Sequence, residues 1–181
     1  SGNFSVRLAE QSFWITPSGF DKSLLRAEHL LWVDFDGRAL VPGIPSAETL
    51  LHAQIYRRRP HVRCVAHTHS LAATLISRAL ANEGCLTLNG FEIAKALSGI
   101  DSHEATVHLP IINNDQDVER LSAHVDETIG GDDLVHGYLL VGHGLYTWGK
   151  DVAETRRHVD ALEFLLNCAL YACFPPLLTR R

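Results

Sequence analysis

The sequence predicts an α/β fold in which a mixed sheet is covered by helices on both faces. Two observations carry this: short β-type runs alternate with helix-type runs along most of the chain, and some neighbouring strands are joined by turns rather than helices. No repeat, low-complexity segment or interdomain linker interrupts the pattern. With 181 residues, 46% hydrophobic and 20% charged, the chain is long enough to bury a substantial core, and residues 1–181 read as a single domain.

Phe4 to Leu8 and Ser12 to Thr16 form two strands of a hairpin, ended by Pro17-Ser18-Gly19. Leu30 to Phe35 is a third β-type run, stopped by the turn signal Asp36-Gly37. After the loop Val41 to Pro45, Ser46 is placed to cap a helix carrying Leu50, Leu51, Gln54 and Ile55, which Pro60 terminates. Residues 62–69 make the next strand, and Ser70 caps a helix bearing Leu71, Thr74, Leu75 and Leu80. Phe91 to Leu97 is a short helix ended by Gly99. Thr106 to Ile112 is a strand whose proline places it at an edge or bulge. Val118, Leu121, Val125 and Ile129 recur at helical spacing within Asp115 to Ile129. Strands at Gly137 to Val141 and Leu145 to Trp148 flank a turn at His143, and Val152 to Tyr171 is the longest helix.

Composition excludes several roles. A net charge of -5 gives no general attraction to nucleic acid or to an anionic membrane. The clusters Arg57-Arg58-Arg59 and Arg156-Arg157 read as solvated helix faces. No apolar run reaches the roughly 18 residues needed to cross a bilayer, and the first residues lack a signal-peptide pattern, so a cytoplasmic location is expected. Cys64, Cys85, Cys168 and Cys173 are scattered without a Cys-x-x-Cys pair and read as reduced thiols.

The chemistry lies in the histidines. Residues alternate across a strand, so His67 and His69 in Ala66-His-Thr-His-Ser70 point to one face. The flanking glycines of Gly142-His143-Gly144 permit a close backbone approach that could bring a third imidazole to the same point. Three protein ligands with one open position suit a catalytic zinc ion, although imidazoles also hold iron, nickel or copper. Two glutamates are candidates for the acid/base such a site needs. Glu48 opens the helix after Ser46, and Glu92 sits in the apolar setting Phe91-Glu-Ile93, where partial burial would raise its pKa. An anion cradle could form from Asn3, Ser18, Gly19, Lys22 and Ser46, all small polar, glycine or lysine positions at turns or helix starts. Tyr146 and Trp148 read as core residues that could alternatively line a pocket.

Taken in order, Ser1-Gly-Asn-Phe-Ser5, Ile15-Thr-Pro-Ser-Gly19, Pro45-Ser-Ala-Glu48, His67-Thr-His69 and Gly142-His-Gly144 resemble the class II aldolase and adducin family across nearly the whole chain. Pro45 to His52, Asn114-Asp-Gln-Asp117 and His143 to Gly149 resemble a branch of it that dehydrates a ketose phosphate. The resemblance implies a three-layer α/β/α fold around a mixed, largely antiparallel sheet. It implies one zinc ion per subunit on His67, His69 and His143, and a sugar-phosphate substrate held near Asn3, Ser18, Gly19, Lys22 and Ser46. It further implies a homo-oligomer, often a tetramer, with sites at subunit contacts. The family's aldolases use the glutamate matching Glu48 as acid/base, whereas the dehydratase branch uses the one matching Glu92, so Glu92 is placed first and Glu48 second. Alternatives are a sugar-phosphate aldolase or epimerase, and a non-catalytic adducin-like module, against which the intact histidine set argues. Family members carry a helix before the Gly-Asn motif, and the start at Ser1 reads as omission or truncation of that helix.

Overall fold

A computed structural model describes residues 2–173; Ser1 and residues 174–181 lie outside the described part. The strands are β1 (Gly2–Ala9), β2 (Ser12–Ile15), β3 (Leu31–Asp34), β4 (Cys64–Thr68), β5 (Cys85–Leu88), β6 (Val107–Ile112), β7 (Gly137–Leu140) and β8 (Gly144–Gly149). The helices are α1 (Thr49–Arg58), α2 (Leu71–Ala79), α3 (Val118–Ile129) and α4 (Val152–Cys173). All eight strands form one sheet in the order β3-β2-β1-β4-β8-β7-β6-β5. Only β6 and β7 run parallel; the other neighbours are antiparallel.

Two cores, one on each face, make the molecule three-layered. Leu51, Ile55 and Tyr56 of α1 and Leu121, Val125 and Ile129 of α3 pack on one side with Val65, Leu140 and Tyr146. Ala73 and Ile76 of α2 and Leu162, Leu165 and Leu166 of α4 pack on the other with Leu109, Leu139 and Leu145. Leu139 and Leu140, adjacent in β7, enter opposite cores, as strand alternation requires. Truncating one of these fully buried leucines to alanine would cost about 2–5 kcal/mol.

Local signals explain most boundaries. Ser70 accepts from the Ala73 N–H at 3.0 Å and caps α2 as expected. The helix expected with Ser46 as its N-cap begins at Thr49, its cap shifted two residues to Glu48. The Ser46 carbonyl accepts from Thr49 N–H at 3.1 Å and its hydroxyl from Glu48 N–H at 3.3 Å, a turn that leaves Glu48 in the cap position. The proline strand is not at the edge. β5, a four-residue strand, covers it. Ile111 N–H donates to the Gly84 carbonyl on the β5 side, so the missing N–H of the preceding Pro110 faces β7, where pairing begins only at Ile111. The stretch Phe91 to Leu97 contains a 3-10 turn, Glu92–Ala96.

Arg59 departs from the solvated-face reading of the arginine cluster, being completely buried. Its guanidinium donates to the Gly130 and Asp132 carbonyls at 2.7 and 2.9 Å and lies 4.5 Å from the centre of the Trp148 ring. Tyr146 and Trp148 are core residues. All four cysteines are free thiols. Among the described residues no helix is long and apolar enough to cross a membrane.

Candidate metal centre

Strand register builds the site. His67 of β4 lies directly opposite Asn3 on β1 and Tyr146 on β8, so the three side chains form a row across neighbouring strands on the α1 face. The His67 ring stacks on Tyr146 at 4.0 Å between centroids and 16° between planes. His69 follows the last residue of β4 and is exposed. His143 arrives from the β7–β8 turn, where Gly142 has a φ of +67°. Helix α2 clamps that turn: Gly142 N–H donates to Ser77 Oγ at 3.0 Å, and Thr74 Oγ1 donates to the His143 carbonyl at 3.2 Å.

Gly144 is required for a different reason. A Cβ there would lie within bonding-like proximity of the Thr68 carbonyl oxygen and 3.0 Å from His67 Cε1, so only hydrogen fits between β8 and the histidine. Gly2, with a φ of +100°, faces the His67 carbonyl with equally little room.

The three Nε2 atoms converge, at 2.7 Å between His67 and His69, 3.3 Å between His67 and His143, and 3.0 Å between His143 and His69. Glu48 completes the group, its Oε1 lying 3.0 Å from His143 Nε2 and 3.6 Å from His67 Nε2. Three nitrogens on a tetrahedral ion with bonds of about 2.0–2.1 Å stand about 3.3 Å apart, so the spacing fits one divalent cation. Tautomer chemistry agrees. His67 Nδ1 lies 3.0 Å from the Leu145 carbonyl, which can only accept, so Nδ1 carries the hydrogen and Nε2 presents a lone pair to the centre. Burial pushes the His67 imidazolium pKa down to about 3 and lowers that of His69, keeping both neutral at physiological pH. For Glu48, burial acts upward but is outweighed by the His143 contact, the nearby imidazoles and the Asn3 amide, so its pKa falls below the usual carboxylate range. Three imidazoles and a carboxylate are a donor set suited to zinc and to other first-row divalent ions.

The other expected site residues fare differently. Glu92 is not brought to the histidines within this chain: its side chain is 72% exposed, pairs with Lys95 and lies 3.9 Å from His103. Ser18 and Gly19 are exposed on a loop joined to the Ser46 loop by the Pro17–Pro45 bridge and by Ser18 N–H to Ile44 O at 3.0 Å. Lys22 donates from Nζ to the Pro17 carbonyl at 2.7 Å and borders a groove on the α4 face of the sheet, lined by Phe4, Val6, Cys64 and Ala66 and by Val152 and Val159 of α4, on the side opposite the imidazoles. Asn3 is buried, its Oδ1 2.5 Å from His52 Nε2 and its Nδ2 donating to Glu48 Oε2. His52 was not a site residue on sequence grounds. Its position four residues after Glu48, one helical turn along the same face, is the signal that points to it.

This architecture and donor set define a class II aldolase-type metal domain, and the chain belongs to the family described as Class II Aldolase and Adducin N-terminal domain, whose model matches residues 1–170. Among named relatives it is 52% identical over 172 residues to a methylthioribulose-1-phosphate dehydratase of Sorangium cellulosum, covering 94% of this chain and 81% of that protein. It is 50% identical over 171 residues to the enzyme of the same name from Xanthomonas euvesicatoria pv. vesicatoria, covering 94% and 78%. Among solved structures, L-fuculose-1-phosphate aldolase from Thermus thermophilus matches with a TM-score of 0.71 and 28% identity over 96% of this chain and 84% of that one. YgbL from Escherichia coli, described as a putative aldolase/epimerase/decarboxylase, matches in fold with a TM-score of 0.75 at 22% identity, covering 97% and 81%.

Proposed function

We propose that this protein is a metal-dependent hydro-lyase that converts 5-methylthioribulose 1-phosphate into 2,3-diketo-5-methylthiopentyl 1-phosphate and water, a step of methionine salvage. The observation that carries the reading is the convergence of three imidazole Nε2 atoms and the Glu48 carboxylate on one point, in a chain half identical to dehydratases of that name. We take the ion to be zinc, one per subunit, held by His67, His69 and His143, the subunits forming a homo-oligomer, a tetramer, in the cytoplasm. Bound there, the ion would supply a Lewis acid for the substrate's C2 carbonyl oxygen.

The chain's own groups would do the rest. Glu48, ionised at neutral pH, would take the C3 proton. The C3–H electron pair enters the C2–C3 bond and then expels the C4 hydroxyl, to which Glu48 returns the proton. One water leaves, and the remaining enol becomes the diketone by tautomerisation. Asn3 has a second amide N–H beyond the one given to Glu48, and with Lys22, Ser18, Gly19 and Ser46 it would hold the phosphate. Glu92 takes part in this reading only if a neighbouring subunit brings it to a second chain's site. Incubating the purified protein with methylthioribulose 1-phosphate should give a product lighter by one water in mass spectrometry. A three-carbon phosphate fragment would instead establish aldol cleavage.

A further inference from the structure

Behind Glu48 runs a buried chain of hydrogen bonds that metal binding alone does not require. Tyr56 OH lies 2.8 Å from Ser5 Oγ, Ser5 Oγ lies 2.7 Å from His52 Nδ1, and His52 Nε2 lies 2.5 Å from Asn3 Oδ1. Asn3 Nδ2 then meets Glu48 Oε2. Ser5, His52 and Tyr56 are each 1% exposed or less, so water does not compete for these bonds.

Chemistry fixes the direction of every link. An ionised carboxylate only accepts, so Asn3 must present its NH2 to Glu48 and therefore its oxygen to His52. An amide oxygen also only accepts, so the His52 proton sits on Nε2. His52 is fully buried with no carboxylate in contact, and burial pushes its pKa down to about 4, so the ring is neutral and Nδ1 is a bare acceptor. Ser5 must then donate to Nδ1 and accept from Tyr56.

We propose that His52 is a positioning residue of the reaction: through Asn3 it sets which edge of the amide faces Glu48, pinning Oε2 and leaving Oε1 turned to the histidines. Without that lock the amide can rotate by half a turn and set its oxygen against the carboxylate, which would swing Glu48 away. The kinetic consequence rests on the dehydratase reading, whereas the hydrogen-bond directions do not.

The test has two arms. In the metal-loaded protein with 15N-labelled histidine, the His52 ring should be the neutral tautomer protonated on Nε2; protonation on Nδ1 would overturn the proposal whatever the enzyme does. In kinetics, His52→Phe keeps the bulk of the ring but removes both polar atoms. It should lower kcat about 10–100-fold with KM within about twofold and metal content unchanged, and His52→Gln, which can donate to Asn3, should recover most of the loss. Unchanged kcat, or a loss that His52→Gln does not repair, would refute it. Should His52→Phe fail to fold, the tautomer measurement on the wild-type protein still decides the proposal, and His52→Leu, smaller and equally without polar atoms, should show the same fall in kcat; unaltered kcat would count against the lock. A wild-type protein inactive toward methylthioribulose 1-phosphate would remove the functional reading while leaving the tautomer measurement to decide this one.

Discussion

Replacing Gly144 by alanine adds one methyl group at the point where β8 passes the metal ligand. The new Cβ meets the Thr68 carbonyl oxygen and His67 Cε1, the latter at 3.0 Å. Neither can turn aside, since one is backbone and the other belongs to a ring held by its bond to Leu145 O and its stack on Tyr146. Restoring ordinary carbon contacts near 3.5 Å requires β4 and β8 to part by about 1 Å. Overpacking of this kind costs about 1–3 kcal/mol, which for a chain of this size lowers Tm by about 2–12 °C. The larger effect falls on function: displacing His67 by about 1 Å should lower kcat on the order of 100-fold and reduce the bound metal per chain. Gly84→Ala is the control. Gly84, unlike Gly144, has positive φ, +68°, but a Cβ there meets nothing within 4 Å, so it should lose about 1–2 kcal/mol to backbone strain and keep its metal and turnover. Thermal unfolding, metal analysis and kinetics on both variants check the argument, and a Gly144→Ala protein with wild-type metal content and kcat would refute it.

Glu48→Gln should lower kcat about 10²–10⁴-fold, whereas Glu92→Gln, whose parent side chain is exposed and paired with Lys95, should stay near wild type; steady-state kinetics on both variants reads this directly, and the reverse order would move the acid/base to Glu92 in a shared site. Stability should fall with acid in part through His52, whose pKa burial lowers to about 4 from 6.5: the unfolded chain binds the extra proton between those values, so the contribution is complete above pH 6.5 and declines towards pH 4, by about 3 kcal/mol. Urea unfolding across that range should show a shallower slope for His52→Gln. Removing the metal with a chelator should abolish turnover and lower Tm, by about 2.7 kcal/mol of stability if the ion had stood at 100 times its Kd, and added zinc should restore both; calorimetry with and without the chelator measures it.

The alternation of strands and helices was legible in the sequence, because side-chain periodicity is a local property, and so were the three imidazoles, because a strand's two-residue repeat and a glycine-flanked turn are written in consecutive residues. The family was legible too, through motifs spread over the whole chain. The sequence reading missed β5, Cys85–Leu88, and the burial of Arg59, whose carbonyl partners lie about seventy residues away. Which glutamate stands beside the imidazoles within one chain is visible only in the folded structure. Register sets Asn3, His67 and Tyr146 side by side, the Ser46 turn delivers Glu48 onto that row, and Glu92 is left on an exposed 3-10 turn. That choice depends on pairings between residues more than forty positions apart, and strand register, unlike a helical stripe, is settled only when the strands meet.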